Sequence, residues 1–116
     1  MKKILLVDDE DGIQMLYREE LQDEGYEIVS AYNGEEGLEK VKSESPDLVI
    51  LDIQMPGMNG IETLRLMKKD NPTLPVILSS AYSEYKQDLA AWASDAYVVK
   101  SSNINDLKEA VKKHLS

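Results

Sequence analysis

Four short apolar runs in this chain each end on residues that can carry chemistry. Lys3-Ile4-Leu5-Leu6-Val7 runs into Asp8-Asp9-Glu10, and Leu48-Val49-Ile50-Leu51 runs into Asp52. Val76-Ile77-Leu78 runs into Ser79-Ser80, and Ala96-Tyr97-Val98-Val99 into Lys100. Carboxylates gathered at one place repel one another and must be neutralised. A lysine supplies one positive charge and a divalent cation the rest. Carboxylate oxygens, backbone carbonyls and water suit Mg2+, which takes six oxygen ligands and usually keeps several waters. Each residue also has a structural reading: Asp9, Glu10 and Asp11 as acidic residues at a helix N-terminus, Asp52 as a strand end, Ser80 as a loop hydroxyl, Lys100 as a solvated cation. Their common position at the ends of successive strands favours the chemical reading.

The elements that must hold these residues alternate along the chain. Leu48 to Leu51, bounded by Pro46-Asp47 and Pro56-Gly57, predicts a strand buried on both faces. Asn59-Gly60-Ile61-Glu62 predicts a helix start. Asp52 then lies at the carboxyl end of an interior strand, where open α/β sheets place their ligands. After the first strand, Ile13, Leu16, Tyr17 and Leu21 fall at helical spacing, and Gly25 suits the helix C-terminus. Tyr26 to Ala31 is mixed in polarity and predicts an edge strand. Asn33-Gly34-Glu35-Glu36 caps a second helix that carries Leu38 and Val41 and ends before Pro46. A third, from about Asn59 to Asp70, turns Ile61, Leu64 and Met67 inward and breaks at Asn71-Pro72. A fourth begins near Ser83 or Glu84 and includes Leu89, Ala90 and Trp92. The last, from about Asn103 to Leu115, buries Ile104, Leu107, Val111 and Leu115. Five such units without a long linker predict one parallel sheet covered by helices on both faces, as a single domain over residues 1–116.

Composition narrows the class. The 116 residues are 42% hydrophobic and 30% charged, enough for one globular core. The absence of cysteine excludes disulfides, thiolate metal sites and a cysteine nucleophile, and fits a cytoplasmic address. No stretch approaches the ~20 apolar residues of a membrane span, and Ile4 to Val7 is too short for a secretory segment. The net charge of −9 argues against nucleic-acid binding, which needs a clustered cationic surface. Lys68-Lys69 and Lys112-Lys113 read as cations at helix C-termini.

In combination, Asp8-Asp9, Asp52 followed by Met55-Pro56-Gly57-Met58-Asn59-Gly60, Ser80-Ala81, Tyr97 and Lys100 carry a resemblance over essentially the whole chain. It resembles the receiver domain of bacterial two-component response regulators, in particular the single-domain chemotaxis type. That resemblance implies a three-layer (βα)5 flavodoxin-like fold, a five-stranded parallel sheet in the order 2-1-3-4-5. Strands one and three then meet where the winding reverses. It also implies that Asp52 is the phosphoacceptor, taking a phosphoryl group from a sensor histidine kinase or phosphotransfer protein. Asp9, Asp52 and the Gln54 backbone carbonyl would bind Mg2+ (or Mn2+) directly, with Asp8 acting through a water. Ser80 would hydrogen-bond the phosphoryl oxygens, Lys100 would pair with them, and Tyr97 would change exposure on activation. The expected protein is a switch rather than a turnover enzyme, a monomer or a phosphorylation-dependent dimer that controls a partner or output domain. These roles suit phosphoryl transfer, which needs positioning and neutralisation of charge on the transferring oxygens.

The chain departs from the family pattern at Ser101, where proline usually follows the lysine, and at Trp92-Ala93, where a glycine commonly ends helix four. A cis bond before a non-proline residue costs ~2.5–4 kcal/mol, against about 0.5–1 before proline, so Lys100–Ser101 is expected trans. The Lys100 ammonium is expected near Asp52 even without phosphate, because clustered carboxylates need a cation. Two rival readings fit less well. A haloacid-dehalogenase-type phosphatase resembles this pattern but needs a general acid where Gln54 stands. A flavin module would place phosphate against Asp8-Asp9-Glu10-Asp11, which repel it.

Overall fold

The computed structural model describes residues 1–53, 60–80, 95–100 and 104–115. Within them the chain runs β1 (Lys3–Val7), α1 (Asp11–Asp23), β2 (Glu27–Ala31), α2 (Gly34–Glu44) and β3 (Leu48–Asp52). It continues through α3 (Gly60–Asp70), β4 (Val76–Ser80), β5 (Ala96–Val99) and α4 (Ile104–Leu115). The five strands form one sheet in the order β2-β1-β3-β4-β5, and every neighbouring pair is parallel. This is the flavodoxin-like arrangement expected from the resemblance, with β2 at an edge.

Successive strand side chains point to opposite faces of a sheet, so each apolar run feeds two cores. Leu5, Val7, Val49, Leu51, Val76 and Leu78 pack with Leu64 and Met67 of α3 and with the half-buried Leu38 and Val41 of α2. Ile4, Leu6, Leu48, Ile50, Ile77 and Val98 pack on the other face with Tyr17 and Leu21 of α1 and Leu107 and Val111 of α4. Full burial of each such side chain contributes roughly 1.5–3 kcal/mol. Two buried faces explain why β3 reads as an unbroken apolar run rather than an alternating one.

Local signals close the elements. At the end of α1, Gly25 adopts φ 95, its N–H donates to the Gln22 carbonyl at 3.0 Å and the Tyr26 N–H to Leu21 at 3.2 Å. That pair of bonds satisfies the last carbonyls and requires the left-handed backbone that glycine accepts. Asn33 caps α2, its Oδ1 accepting from the Glu36 N–H at 2.8 Å. Asp95 Oδ2 accepts from the Val76 N–H at 2.8 Å and from Lys68 Nζ at 2.7 Å, clasping the start of β5 to β4 and α3. No helix among the described residues is long and apolar enough to cross a membrane.

The structure corrects the inward face of α1. Leu16 is 46% exposed, while Gln14 is buried with Tyr17 and Leu21. At 100° per residue, Gln14, Tyr17 and Leu21 share a stripe from which Leu16 is turned away. β4 also runs two residues beyond Leu78, so Ser79 and Ser80 belong to the strand. The expected helix from Ser83 or Glu84 with Leu89, Ala90 and Trp92, the Ala93 corner, the Pro56-Gly57 turn, the Asn59 cap, the Asn103 start of the last helix and the Lys100–Ser101 bond lie outside the described residues.

Candidate functional site

Asp52 closes β3 with only 2% of its surface exposed. Its register partner on β4 is Ser79, and the next residue, Ile53, donates its N–H to the Ser79 carbonyl at 3.1 Å. From the other side, the first residue of α3 presses on this backbone. The Gly60 N–H donates to the Ile53 carbonyl at 2.9 Å. A Cβ at Gly60 would stand 2.5 Å from the Asp52 carbonyl oxygen and 2.5 Å from Ile53 Cα. The close approach of α3 to the strand end therefore depends on glycine.

Asp8 follows β1 and is 1% exposed. Its N–H donates to the Ala31 carbonyl at 3.0 Å, and its Oδ1 accepts from the Glu10 N–H at 2.9 Å. That second bond is the local side-chain-to-backbone turn that aspartate favours, and it leads the chain into α1. From the first turns of α1, Gln14 Nε2 donates to the carbonyls of Ala31 at 2.9 Å, Asp8 at 3.0 Å and Leu6 at 3.2 Å. The sequence reading gave Gln14 no role. Its signal was positional: it lies three residues before Tyr17, on the stripe that helical spacing sends inward.

Lys100 stands directly after β5. Its N–H donates to the Ser80 carbonyl at 2.6 Å, which seats the residue beside the end of β4. The side chain then reaches back across the sheet edge. Nζ lies 2.7 Å from Asp8 Oδ2, 3.2 Å from Asp52 Oδ2 and 3.5 Å from Glu10 Oε1, and the lysine side chain is only 8% exposed. The expectation that its ammonium would lie near Asp52 is met. Burial by itself would lower the pKa of Lys100, but the hydrogen bond to Asp8 and the charges of Asp8 and Asp52 outweigh it, and the net direction is up. Burial also dominates at Asp8 and holds its carboxyl above the usual aspartate value, against the pull of Lys100 and the Glu10 N–H. Ser80 is fully buried at the end of β4, and Tyr97 is half-buried against the core under α2 and α3.

The donor set suits a hard divalent cation. Carboxylate oxygens of Asp8, Asp9 and Glu10 all lie within 4.8 Å of one another, with Asp52 across the Lys100 ammonium. One ammonium leaves most of this negative charge uncompensated, and all the side-chain donors are oxygens. Glu10, which the sequence reading placed in the acidic run after the first strand without giving it a ligand role, joins the cluster. The Gln54 carbonyl lies outside the described residues. Asp8, Asp52, Ser80 and Lys100 thus stand at one edge of the sheet, at the ends of four strands, β1, β3, β4 and β5, and the Lys100 side chain reaches to where β1 and β3 adjoin.

The chain is similar to known proteins in sequence and in fold. Residues 4–112 match the family model of the response regulator receiver domain. The chain is 40% identical over 116 residues to sporulation initiation phosphotransferase F of Bacillus subtilis, covering 98% of this chain and 94% of that protein. It is 35% identical over 114 residues to the response regulator ArlR of Staphylococcus saprophyticus, covering 97% of this chain and 51% of ArlR, so it spans about half of that relative. Among solved structures, the response regulator TrrA of Thermotoga maritima in complex with Mg2+-BeF matches with a TM-score of 0.94 at 56% identity, covering 99% of this chain and 100% of that one. TrrA in complex with the histidine kinase ThkA matches with a TM-score of 0.92 at 55% identity, each chain being covered to 100%. The family match across most of the chain and the identity to these relatives lead to one conclusion: the chain belongs to the response regulator receiver domain family.

Proposed function

We propose that this receiver domain is a phosphorylation switch in which Asp52 takes a phosphoryl group from the phosphohistidine of a sensor kinase or phosphotransfer protein. An Asp52 carboxylate oxygen forms the new O–P bond as the P–N bond to the imidazole breaks, and the electron pair leaves with the imidazole. The single observation that carries this reading is the buried Lys100 ammonium held 2.7 Å from Asp8 and 3.2 Å from Asp52. A cation placed beside a buried nucleophile is positioned to neutralise the charge that the incoming phosphoryl oxygens bring. Ser80, seated beside Lys100 by the bond at 2.6 Å, is the hydroxyl that would hydrogen-bond those oxygens.

Asp8, Asp9, Asp52 and the Gln54 carbonyl would hold Mg2+ or Mn2+. When bound, the cation would supply Lewis-acid neutralisation of the phosphoryl oxygens. The TrrA–Mg2+-BeF structure supports this assignment and the ThkA–TrrA complex supports a histidine kinase as partner. In the switch, Ser80 draws toward the phosphoryl group and Tyr97 fills the space released, biasing a two-state surface toward a downstream protein or output domain. The domain, taken as residues 1–116 and placed in the cytoplasm, works as a monomer or a phosphorylation-dependent dimer. It catalyses its own phosphorylation and dephosphorylation rather than turnover of an external substrate. The test is incubation with Mg2+ and a small acyl-phosphate donor, read by intact mass. One phosphoryl group is expected on the parent and none on Asp52→Ala; equal stable incorporation in both would overturn the assignment.

A further inference from the structure

We propose that Gln14 is a positioning residue for the acidic loop, setting the divalent-cation affinity of the site through its grip on the Asp8 backbone. The inference rests on the reading of Asp8 and Asp9 as cation ligands. Gln14 is 3% exposed and lies on the inward stripe of α1, where the other fully buried residues, Tyr17 and Leu21, are aromatic and apolar. Packing alone would be served by leucine or methionine at this position. Instead an amide places one nitrogen against three carbonyls, of Ala31, Asp8 and Leu6. Its two hydrogens serve the two shorter contacts best, and these join the last residue of β2 to the first residue after β1. The Asp8 N–H donates to the same Ala31 carbonyl. Asp8 is therefore held at both its N–H and its carbonyl, while its carboxylate faces Lys100.

The other end of the amide shows what the residue is arranged for. Gln14 Oε1 is buried and has no hydrogen-bond partner among the described residues. Turning the amide over would set that oxygen against the three carbonyl oxygens, so the donor end is the one the fold uses. An unmet acceptor is tolerated so that the loop carbonyls have a donor. The segment pinned in this way carries the tight group of carboxylates at Asp8, Asp9 and Glu10, whose oxygens repel one another at 4.8 Å or less. Such a group keeps a cation-ready arrangement only if its backbone is held against that repulsion. Partners behind metal ligands tune affinity by orienting them. Gln14 acts one step further back, on the backbone rather than on a ligand oxygen.

The experiment compares Mg2+ affinity by calorimetry in the parent, in Gln14→Met and in Leu107→Ala. Leu107 is a fully buried core residue of α4 and serves as a control for general loss of stability. The expected result is a Kd about tenfold weaker in Gln14→Met, the low end of outer-partner effects, with the Leu107→Ala Kd at the parent value. Parent-like affinity in Gln14→Met, or an equal loss in both variants, would overturn the positioning role while leaving the cation site intact. A parent that binds no Mg2+ would overturn the cation reading itself and this inference with it. A second measurement needs no variant. In the parent, the Gln14 side-chain amide protons should shift on Mg2+ addition well beyond those of the exposed Gln22 on the same helix, and equal shifts would overturn the proposal.

Discussion

Replacing Lys100 with methionine removes the ammonium and keeps an unbranched stem of similar size, so the charge is tested with little change in packing. Asp8 and Asp52, 1% and 2% exposed, then face each other without their cation. Removing one partner of a buried ion pair costs about 3–5 kcal/mol. Protonation sets a ceiling. A carboxyl with an ordinary value of 3.8 takes up a proton at pH 7 for about 4 kcal/mol at 1.36 kcal/mol per pH unit. Neutralising one of the two relieves the repulsion. The expected loss for Lys100→Met, without divalent metal at pH 7, is therefore about 3–4 kcal/mol. In urea titrations it should appear as a lower midpoint with an unchanged slope.

The pH dependence identifies the cause. Asp8 already sits above 3.8 in the folded parent because it is buried, and loss of the lysine lifts it further. The folded variant then binds more protons than its unfolded chain, so its stability rises as pH falls from 7 through the raised folded value toward 3.8. Lys100 in the parent, raised above 10.5, stays charged across that window; its own contribution is lost only as pH climbs through the raised value. The gap between parent and variant should narrow steadily from pH 7 to pH 4.5. A gap below about 1 kcal/mol at pH 7, the size of an exposed surface pair, or a gap that stays constant on acidification, would refute the electrostatic account.

Three further outcomes follow from the same geometry. Gly60→Ala should destabilise by about 1–3 kcal/mol, since its Cβ meets backbone that cannot swing aside; acyl-phosphate labelling should slow as well, because the displaced backbone is that of Asp52. Asn33→Ala should cost about 1 kcal/mol through loss of the 2.8 Å cap on α2, with Mg2+ affinity unchanged, and a change in affinity would show that α2 is coupled to the site. Mg2+ at a hundred times its Kd should stabilise the parent by about 2.7 kcal/mol, and at the same concentration it should stabilise Asp9→Asn less; equal stabilisation would leave Asp9 a structural role only.

Periodicity and punctuation in the sequence determine most of the architecture. Five apolar runs, Gly25, the Asn33 cap and the Asn71-Pro72 break fall where the strands and helices begin and end. Local chemistry suffices there: φ at Gly25 and the donors left open at the start of α2 depend on residues a few positions apart. The site was legible for a related reason. In a parallel sheet the strand ends share an edge, so Asp8, Asp52, Ser80 and Lys100 declared themselves by position in the sequence. Three things depended on the tertiary fold. The rotation of α1, which exposes Leu16 and buries Gln14, brings the Gln14 amide against the carbonyls of Leu6, Asp8 and Ala31, which come together only once β1, β2 and the loop are packed. The entry of Glu10 into the cluster depends on the turn made by the Asp8 side chain. The choice of Asp8 as the nearest partner of Lys100 depends on distances across strands that lie far apart in the chain. Short-range torsions and caps can be read from neighbouring residues, whereas the pairing of a buried cation is decided by which carboxylates the packed sheet brings within 4 Å, and no local pattern encodes that distance.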